Sequence, residues 1–548
     1  MKKNAFIQGA MIATLGIFIS KMLGILYVIP FYAIIGVQGG ALYSYGYSIY
    51  NLFLSFSTVG IPLAISKLTS EYDSLGNDYL KEKTFSLAKR LLFSFSFVCF
   101  LILIIFAPSI AYLFLGDIKG GNTIEDVTLI IRVVSFALLM VPLLSVTRGY
   151  VQGHKYIASS SFSQIIEQIV RVSIVLLGSY LTVVVLGLSI KVGVAVAVSG
   201  ALFGGIVAYL YLQRKITFHK TAFKSNFLKP RALAKLTDKE IMIKVLTYSF
   251  PFVIIGLVNS LYNFVDLSTI VKTMVKELNY NVEEAESIIG ILSTWGSKLN
   301  MIIIAVGMGL TTSLLPNITE HFVSKDDLKL KRTINKSLQV LLYVTIPMTL
   351  GLSFLTPLVW TVFYGYNELG ITIFSYSVFM ALFLVIMSTL NITFQALNEP
   401  KKMLTFLITG IMIKIIFNIP LMKAFHSYGF HAAYGAVTAT ILGLITASVL
   451  ILITIQRKYK INYEETFNRL LDILLATFVM VFILLLLQFI IPLNTTNRLL
   501  AILLTGGYSL IGISIYLYLT IKGGVFDNIF GRGYFKYLLN KIRRWKND

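Results

Sequence analysis

Charge is what this chain is short of: 13% of its 548 residues are Asp, Glu, Lys or Arg, against 56% hydrophobic. A soluble fold of that length needs a charged surface, and this composition does not supply one. Cysteine is reduced to Cys99, which excludes disulfides and cysteine metal sites. Five scattered histidines leave no histidine metal site either. There is no Walker loop, no histidine–carboxylate–serine set and no metal-ligand spacing. The chain therefore reads as no enzyme and calls for no cofactor, and any cargo it moves is moved by secondary or facilitated transport.

Acidic residues are the scarcer of the charged kinds: 25 Asp and Glu face 47 Lys and Arg, a formal charge of +22. In a soluble protein that excess would point to nucleic acid. Here the basic residues sit mostly in short segments between apolar runs, where they set topology and meet anionic lipid. Membrane lipid is the expected partner, and nucleic acid is not.

What the chain has in abundance is hydrocarbon. Mean hydropathy is +0.80, and apolar runs of about 20 residues recur from end to end, long enough to cross a bilayer. Backbone inside a bilayer has no water to bond, so such runs are helical, and they lack the alternation of a β-barrel. The fold class is all-α integral membrane protein. About fourteen transmembrane helices are expected, at 6–36, 43–68, 91–115, 127–147, 159–183, 190–213, 245–271, 290–315, 337–362, 372–396, 403–425, 430–455, 470–492 and 498–521. The first run follows Lys2 and Lys3 without a small-residue cleavage site and continues past Lys21. It reads as a retained helix, not a signal peptide.

Loop charges alternate in sign. Lys81, Lys83, Lys89 and Arg90, then Arg148 and Lys155, Lys401 and Lys402, and Arg457, Lys458 and Lys460 mark one side. Asp117, Glu125 and Asp126, and later Glu283, Glu284 and Glu286, mark the other. The positive-inside rule puts the basic set in the cytoplasm, with the 214–244 loop and the tail carrying Arg532, Lys536, Lys541, Arg543 and Arg544. Both termini are then cytoplasmic, in a multi-pass protein of the cell membrane.

An internal repeat shows at an offset of about 245 residues: Val59-Gly60, Leu63 and Ser66 recur as Val306-Gly307, Leu310 and Ser313. Gly149-Tyr150-Val151-Gln152 has a weaker echo in Thr393-Phe394-Gln395. The expected organisation is a six-helix lobe over 1–213, a basic loop over 214–244, and a second six-helix lobe over 245–456. Two further helices over 457–521 and a basic tail over 522–548 complete it. An even number of helices per half gives the copies one orientation, and duplicated bundles place a substrate path where the lobes meet.

Ionisable residues within apolar runs cost several kcal/mol, on the order of 3 or more, and so mark function. Lys21 stands in Ser20-Lys21-Met22-Leu23-Gly24. About ten residues separate it from either helix end, too far at 1.5 Å per residue for its ammonium to reach headgroups comfortably, so a water-filled cavity is expected there. Lys298, in Gly296-Ser297-Lys298-Leu299-Asn300, lies nearer an outer end, where snorkelling competes with function. Lys67 ends the second helix as an interfacial anchor. Asp266 and Lys414 are two costly charges that can neutralise one another within one lobe. Glu167 and Arg171, four apart, form a local ion pair. Lysine prevails among the deepest sites, which suggests an anionic passenger such as a phosphate or pyrophosphate.

Three stretches carry a family resemblance. They are Gly60-Ile61-Pro62-Leu63-Ala64-Ile65-Ser66-Lys67-Leu68-Thr69-Ser70-Glu71-Tyr72; Arg148-Gly149-Tyr150-Val151-Gln152-Gly153 with the following run from Ser163 to Arg171; and Ala305 to Pro316. The chain resembles, over its whole length, the lipid II flippase family, in the branch near stage V sporulation protein B. That family belongs to the multidrug/oligosaccharidyl-lipid/polysaccharide exporter superfamily. The resemblance implies two six-helix lobes related by a pseudo-two-fold axis around a central cavity, with two C-terminal helices beside them. It implies cavity cations on the first, second and eighth helices that hold a substrate pyrophosphate.

Lys21 matches the first-helix cation within a Ser-cation-x-x-Gly pattern formed by Ser20 and Gly24, and Lys298 matches the eighth-helix cation to within one residue. Tyr27 stands where many members have a second arginine, and the second-helix arginine pair is replaced near Phe53 and Leu54. The implied function is translocation of an undecaprenyl-pyrophosphate-linked peptidoglycan precursor from the inner to the outer leaflet. A flippase for another lipid-linked saccharide and a cation-coupled multidrug exporter are the alternatives. Implied partners are the lipid-linked anionic saccharide, membrane lipids and cell-wall synthesis proteins. Some members bind sodium with a seventh-helix carboxylate, which Asp266 fits. Lys414 stands about where a further carboxylate is expected, so sodium coupling is disfavoured relative to protons or membrane potential.

Overall fold

Gly36 makes the first reversal of the chain. Its backbone takes φ 65° and ψ −168° inside the otherwise helical segment Val28–Thr58. Phe31 and Tyr43, on either side, bring their ring centroids to 5.4 Å. A continuous helix would hold those positions about 18 Å apart along its axis. The chain therefore doubles back at one residue, and the connection expected at 37–42 is absent.

The computed structural model describes Ser20 and residues 22–58, 60–218 and 236–531. Lys21 lies outside these residues, as do Lys2, Lys3, most of the 214–244 loop and the basic tail from Arg532. The described residues form helices and no strands. Twelve of the described helices are long and apolar enough to cross a membrane. The reversal at Gly36 divides the first of them, Met22–Ser55, and the helix Asp238–Lys272 supplies one more. Each of the roughly fourteen expected segments is thus largely helical among the described residues.

Several boundaries shift from the expected ones. The second helix is interrupted after Thr58 and resumes at Ile61–Ser74, with Pro62 in its first turn, where a missing N–H costs nothing. The third begins at Asp78, capped by the Asn77 side chain, and runs to Leu115. At 1.5 Å per residue it outruns a bilayer core of about 30 Å and projects beyond the membrane. Lys81, Lys83, Lys89 and Arg90 are therefore helical instead of lying in a loop. Lys81 is fully buried, 2.8 Å from Asp73 and 2.7 Å from Asp78, so its charge is neutralised locally. The fourth span runs on to Gly153, which makes Arg148 a helical residue too.

Two compact units divide between Lys298 and Leu299, inside the helix Gly296–Val323, whereas the lobe boundary read from the repeat lies at 214–244. Residues 238–298 pack on the N-terminal helices: the Trp295 ring meets Tyr32 at 5.0 Å and Phe31 at 5.9 Å, edge to face.

Within each unit, small residues set how closely helices approach, because lipid offers no hydrophobic drive to bring them together. A Cβ added at Gly149 would lie 2.5 Å from the Pro62 carbonyl oxygen, and one at Gly153 would lie 2.7 Å from that of Ser66. Two of the stretches that carry the family resemblance are therefore packed backbone to backbone. In the second unit Gly435 of Ala432–Tyr459 meets the backbone of Leu421 and Met422 in Pro400–Ser427, with an added Cβ only 2.3 Å from the Met422 nitrogen. Gly435→Ala should cost about 1–3 kcal/mol through overpacking. Gly351→Ala, with nothing within 4 Å of its Cβ, should be neutral. Thermal unfolding in detergent separates the two.

Candidate functional site

In the first unit, a half-buried lysine and a partly buried arginine stand at the two ends of a line of aromatic rings. Lys298 follows a π-helical turn, Gly290–Trp295, of the kind that often marks functional sites. Its ammonium lies 5.6 Å from the centre of the Tyr27 ring, within cation–π range. Tyr27 meets Phe31 at 6.0 Å, Phe31 meets Tyr43 at 5.4 Å, and Tyr43 stacks on Tyr47 at 5.1 Å. The Tyr47 hydroxyl accepts a hydrogen bond from Arg171 Nη1 at 3.4 Å. Gly24 lies a turn before Tyr27, where a Cβ would sit 3.4 Å from Gln168 Nε2, so this face of the first helix packs on the helix that carries Arg171. Ser20 is partly buried just beyond, beside the undescribed Lys21.

The local Glu167–Arg171 pair forms, and a second arginine joins it. Glu167 Oε1 takes Arg171 at 2.5 Å while Oε2 takes Arg148 Nη2 at 2.8 Å. Arg148 Nε also donates to Ser163 Oγ at 2.8 Å. Arg148, expected in a cytoplasmic loop, thus completes a triad of net charge +1, with side chains 12–20% exposed. Two glycines hold the helix in place behind it. A Cβ at Gly204 would be 2.7 Å from the Glu167 carbonyl oxygen, and one at Gly200 would be 3.0 Å from that of Arg171.

A polar seam joins the second helix to residues 238–298. Thr294 Oγ1 donates to the Gly40 carbonyl at 2.9 Å and makes a short contact with Ser44 Oγ. Asn263 Nδ2 donates to Ser48 Oγ at 2.6 Å and accepts from Ser293 Oγ at 2.7 Å. Ser55 and Ser260 hydroxyls lie 3.2 Å apart. Gly40 gives room for the Trp295 indole, which an added Cβ would approach to 2.3 Å. Glu286, expected in an exposed acidic loop, is fully buried and accepts from the backbone N–H of Asn122 at 3.0 Å and its side-chain amide at 2.9 Å. The reason is a helix start at Val282, capped by Asn281, which places Glu286 on the buried stripe with Ala285 and Ile289.

The remaining candidates lie apart from this line. Lys67 is exposed, with its ammonium 3.9 Å from the centre of the Tyr248 ring. Asp266 is buried on Asp238–Lys272 in the first unit. Lys414 is fully buried in the second unit, where Nζ donates to the Ala436 carbonyl at 2.8 Å and to Thr440 Oγ1 at 2.7 Å. The second unit also holds an apolar cavity of ≈ 360 Å³, lined by Pro347, Met348, Leu484, Tyr508, Gly512 and Ile513 among others.

Apolar helices of membrane-spanning length, partly buried cations on an aromatic wall and an apolar cavity fit a multi-pass membrane transporter, not an enzyme. The fold is that of the exporter superfamily expected from the sequence. The lipid II flippase MurJ in an inward-closed conformation matches with a TM-score of 0.66 at 17% identity, over 94% of this chain and 99% of that one. An inward-facing multidrug resistance MATE family transporter of the MOP superfamily matches at 0.64 and 13% identity, over 82% of this chain and 98% of that one. The chain belongs to the polysaccharide biosynthesis protein family, whose model matches residues 6–322. Among curated proteins, "Lipid II flippase MurJ" of Bacillus subtilis (strain 168) is 31% identical over 97% of this chain and 98% of its own. "Stage V sporulation protein B" of the same organism is 26% identical over 44% of this chain and 45% of its own.

Proposed function

We propose that this protein carries an undecaprenyl-pyrophosphate-linked peptidoglycan precursor from the inner to the outer leaflet by alternating access, with both termini in the cytoplasm. The observation that carries the reading is the end-to-end likeness, at 31% identity, to a protein named as a lipid II flippase. Physical chemistry supports it. A sugar-peptide headgroup cannot cross hydrocarbon unaided, while its polyprenyl tail can remain in an apolar environment. Lys298 and the net positive Arg148–Glu167–Arg171 triad offer charge to a pyrophosphate, and the ≈ 360 Å³ apolar cavity suits a hydrocarbon chain.

The surroundings of Lys414 count against sodium coupling. The Lys414 ammonium already donates to a backbone carbonyl and a threonine hydroxyl, oxygen ligands of the kind a hard cation would use. Lys414 then acts as a fixed internal cation, and coupling falls to protons or the membrane potential.

The test is growth rescue after depletion of a native flippase, with membrane levels matched. Lys21→Arg should retain rescue and Lys21→Ala should abolish it, because a point charge at the pyrophosphate is what matters. Lys298→Ala should act in the same direction, less strongly. Full rescue by Lys21→Ala at equal levels would remove the cationic-cavity mechanism.

A further inference from the structure

The second unit carries a further polar feature besides Lys414. A cavity of ≈ 430 Å³ is lined by Lys331, Arg332 and Lys336 from the start of the helix Asp327–Phe354, and by Lys460, Asn462 and Glu465 where the helix Ala432–Tyr459 gives way to Glu464–Ile490. Asn335 and Gln339 line it as well. Four cations and one carboxylate give the lining a formal charge of +3.

Its floor is built. Gln339 is buried and its amide donates to Thr466 Oγ1 at 3.3 Å. The Thr466 hydroxyl donates to Asn335 Oδ1 at 2.7 Å, and Asn335 Nδ2 donates to the Asn462 carbonyl at 3.0 Å. That network fixes the Asp327–Phe354 helix against the segment 462–466 and holds the cationic residues around one opening. Lys336 Nζ donates to the Asn528 carbonyl at 2.9 Å. Among the described residues, none of the four cations forms an ion pair with a carboxylate. Lys460 reaches this position from left-handed backbone, φ 51° and ψ 47°, where glycine is favoured over a long side chain.

Like charges gathered around a shaped polar opening repel one another unless an anion joins them. We propose that this cavity binds a phosphate-bearing ligand, a site distinct from the cargo path and independent of the cargo reading. Both helix ends that build it carry basic residues expected at the cytoplasmic membrane surface, where anionic lipid headgroups are concentrated. A headgroup phosphate and a soluble phosphate monoester share the chemistry the lining recognises.

The test uses the full chain in neutral detergent, with melting followed at rising probe concentration. The probes are phosphatidylglycerol in mixed micelles, phosphatidylcholine in the same micelles, and soluble glycerol phosphate. Phosphatidylglycerol should raise the melting temperature saturably, and phosphatidylcholine should not. The combination Lys331→Gln, Arg332→Gln and Lys460→Gln should weaken the response about tenfold or more, since each basic residue near a membrane surface contributes a severalfold effect. Glu465→Gln should strengthen it. An effect of phosphatidylglycerol alone assigns a lipid source, and an equal effect of glycerol phosphate assigns a soluble one. Arg332→Gln alone, a single exposed change, serves if the triple variant does not fold. Unchanged responses of these variants to both anionic probes, or an equal response to phosphatidylcholine, would overturn the proposal.

Discussion

Ser44→Cys combined with Thr294→Cys, in a Cys99→Ala background, should arrest transport under oxidising conditions and recover it on reduction. The two hydroxyls touch, so the side chains face each other at the close range a disulfide requires, about 3.5–4.5 Å between β-carbons. Serine-to-cysteine and threonine-to-cysteine exchanges are small, and neither residue carries charge. The contact belongs to a seam in which Gly40, Ser44, Ser48 and Ser55 of the second helix meet Asn263, Ser260, Ser293 and Thr294. Alternating access requires a seam of this kind to part in each cycle, and its hydrogen bonds are each worth only about 1 kcal/mol net, small enough to be exchanged for water. A covalent bond is not exchanged. Growth rescue with and without reductant, together with loss of maleimide labelling as proof of the crosslink, reads the result. The crosslinked form should fall at least about tenfold below either single variant, whereas full activity with the bond formed would show that the seam stays shut throughout the cycle.

Glu167→Gln should be among the most damaging single changes in the protein. It removes the carboxylate shared by Arg148 and Arg171 and leaves two guanidiniums facing each other at a largely buried position. Stranding a buried charge typically costs about 3–5 kcal/mol, and two like charges raise rather than lower that figure. Folded yield and detergent melting temperature should drop together. Replacing all three residues with uncharged ones of similar size, Arg148→Met with Glu167→Gln and Arg171→Met, removes the uncompensated charges and should restore much of the stability. Transport should remain lost if Arg171 presents charge to the cargo. Equal melting of the single and triple variants would show that charge pairing is not what holds these helices.

Much of this was legible in the sequence because the bilayer leaves the chain few choices. Apolar runs of about 20 residues must be helices, and the expected spans are largely helical among the described residues. The ends were harder. Asp78 begins a helix expected at 91, and Val282 begins one expected at 290, because helices continue past the membrane surface once a residue such as Asn77 or Asn281 caps them. That continuation decides which charges are loop charges. Lys81, Arg148 and Glu286 read as surface residues only while their helices were ended too soon.

The seam had a signal that went unread. Gly40, Ser44, Ser48 and Ser55 fall on one face at helical spacing, but small residues in a membrane helix look like ordinary packing until their partners are known. Those partners are more than two hundred residues away, as with Ser44 and Thr294. Arg148 likewise finds its partner carboxylate, Glu167, on a different helix, the one that follows. The family stretches, by contrast, were recognised without their physical reason. Gly149 and Gly153 are glycines because Pro62 and Ser66 pass beneath them.

The central claim, that this protein moves a pyrophosphate-linked saccharide across the bilayer, is tested most directly by the leaflet distribution of that lipid. In cells depleted of this protein, with related flippases deleted, an externally added enzyme that cleaves the exposed headgroup should reach far less of the precursor. The uncleaved remainder should accumulate on the cytoplasmic side, and re-expression of the parent, but not of Lys21→Ala, should reverse the shift. An unchanged cleavable fraction on depletion would contradict the account.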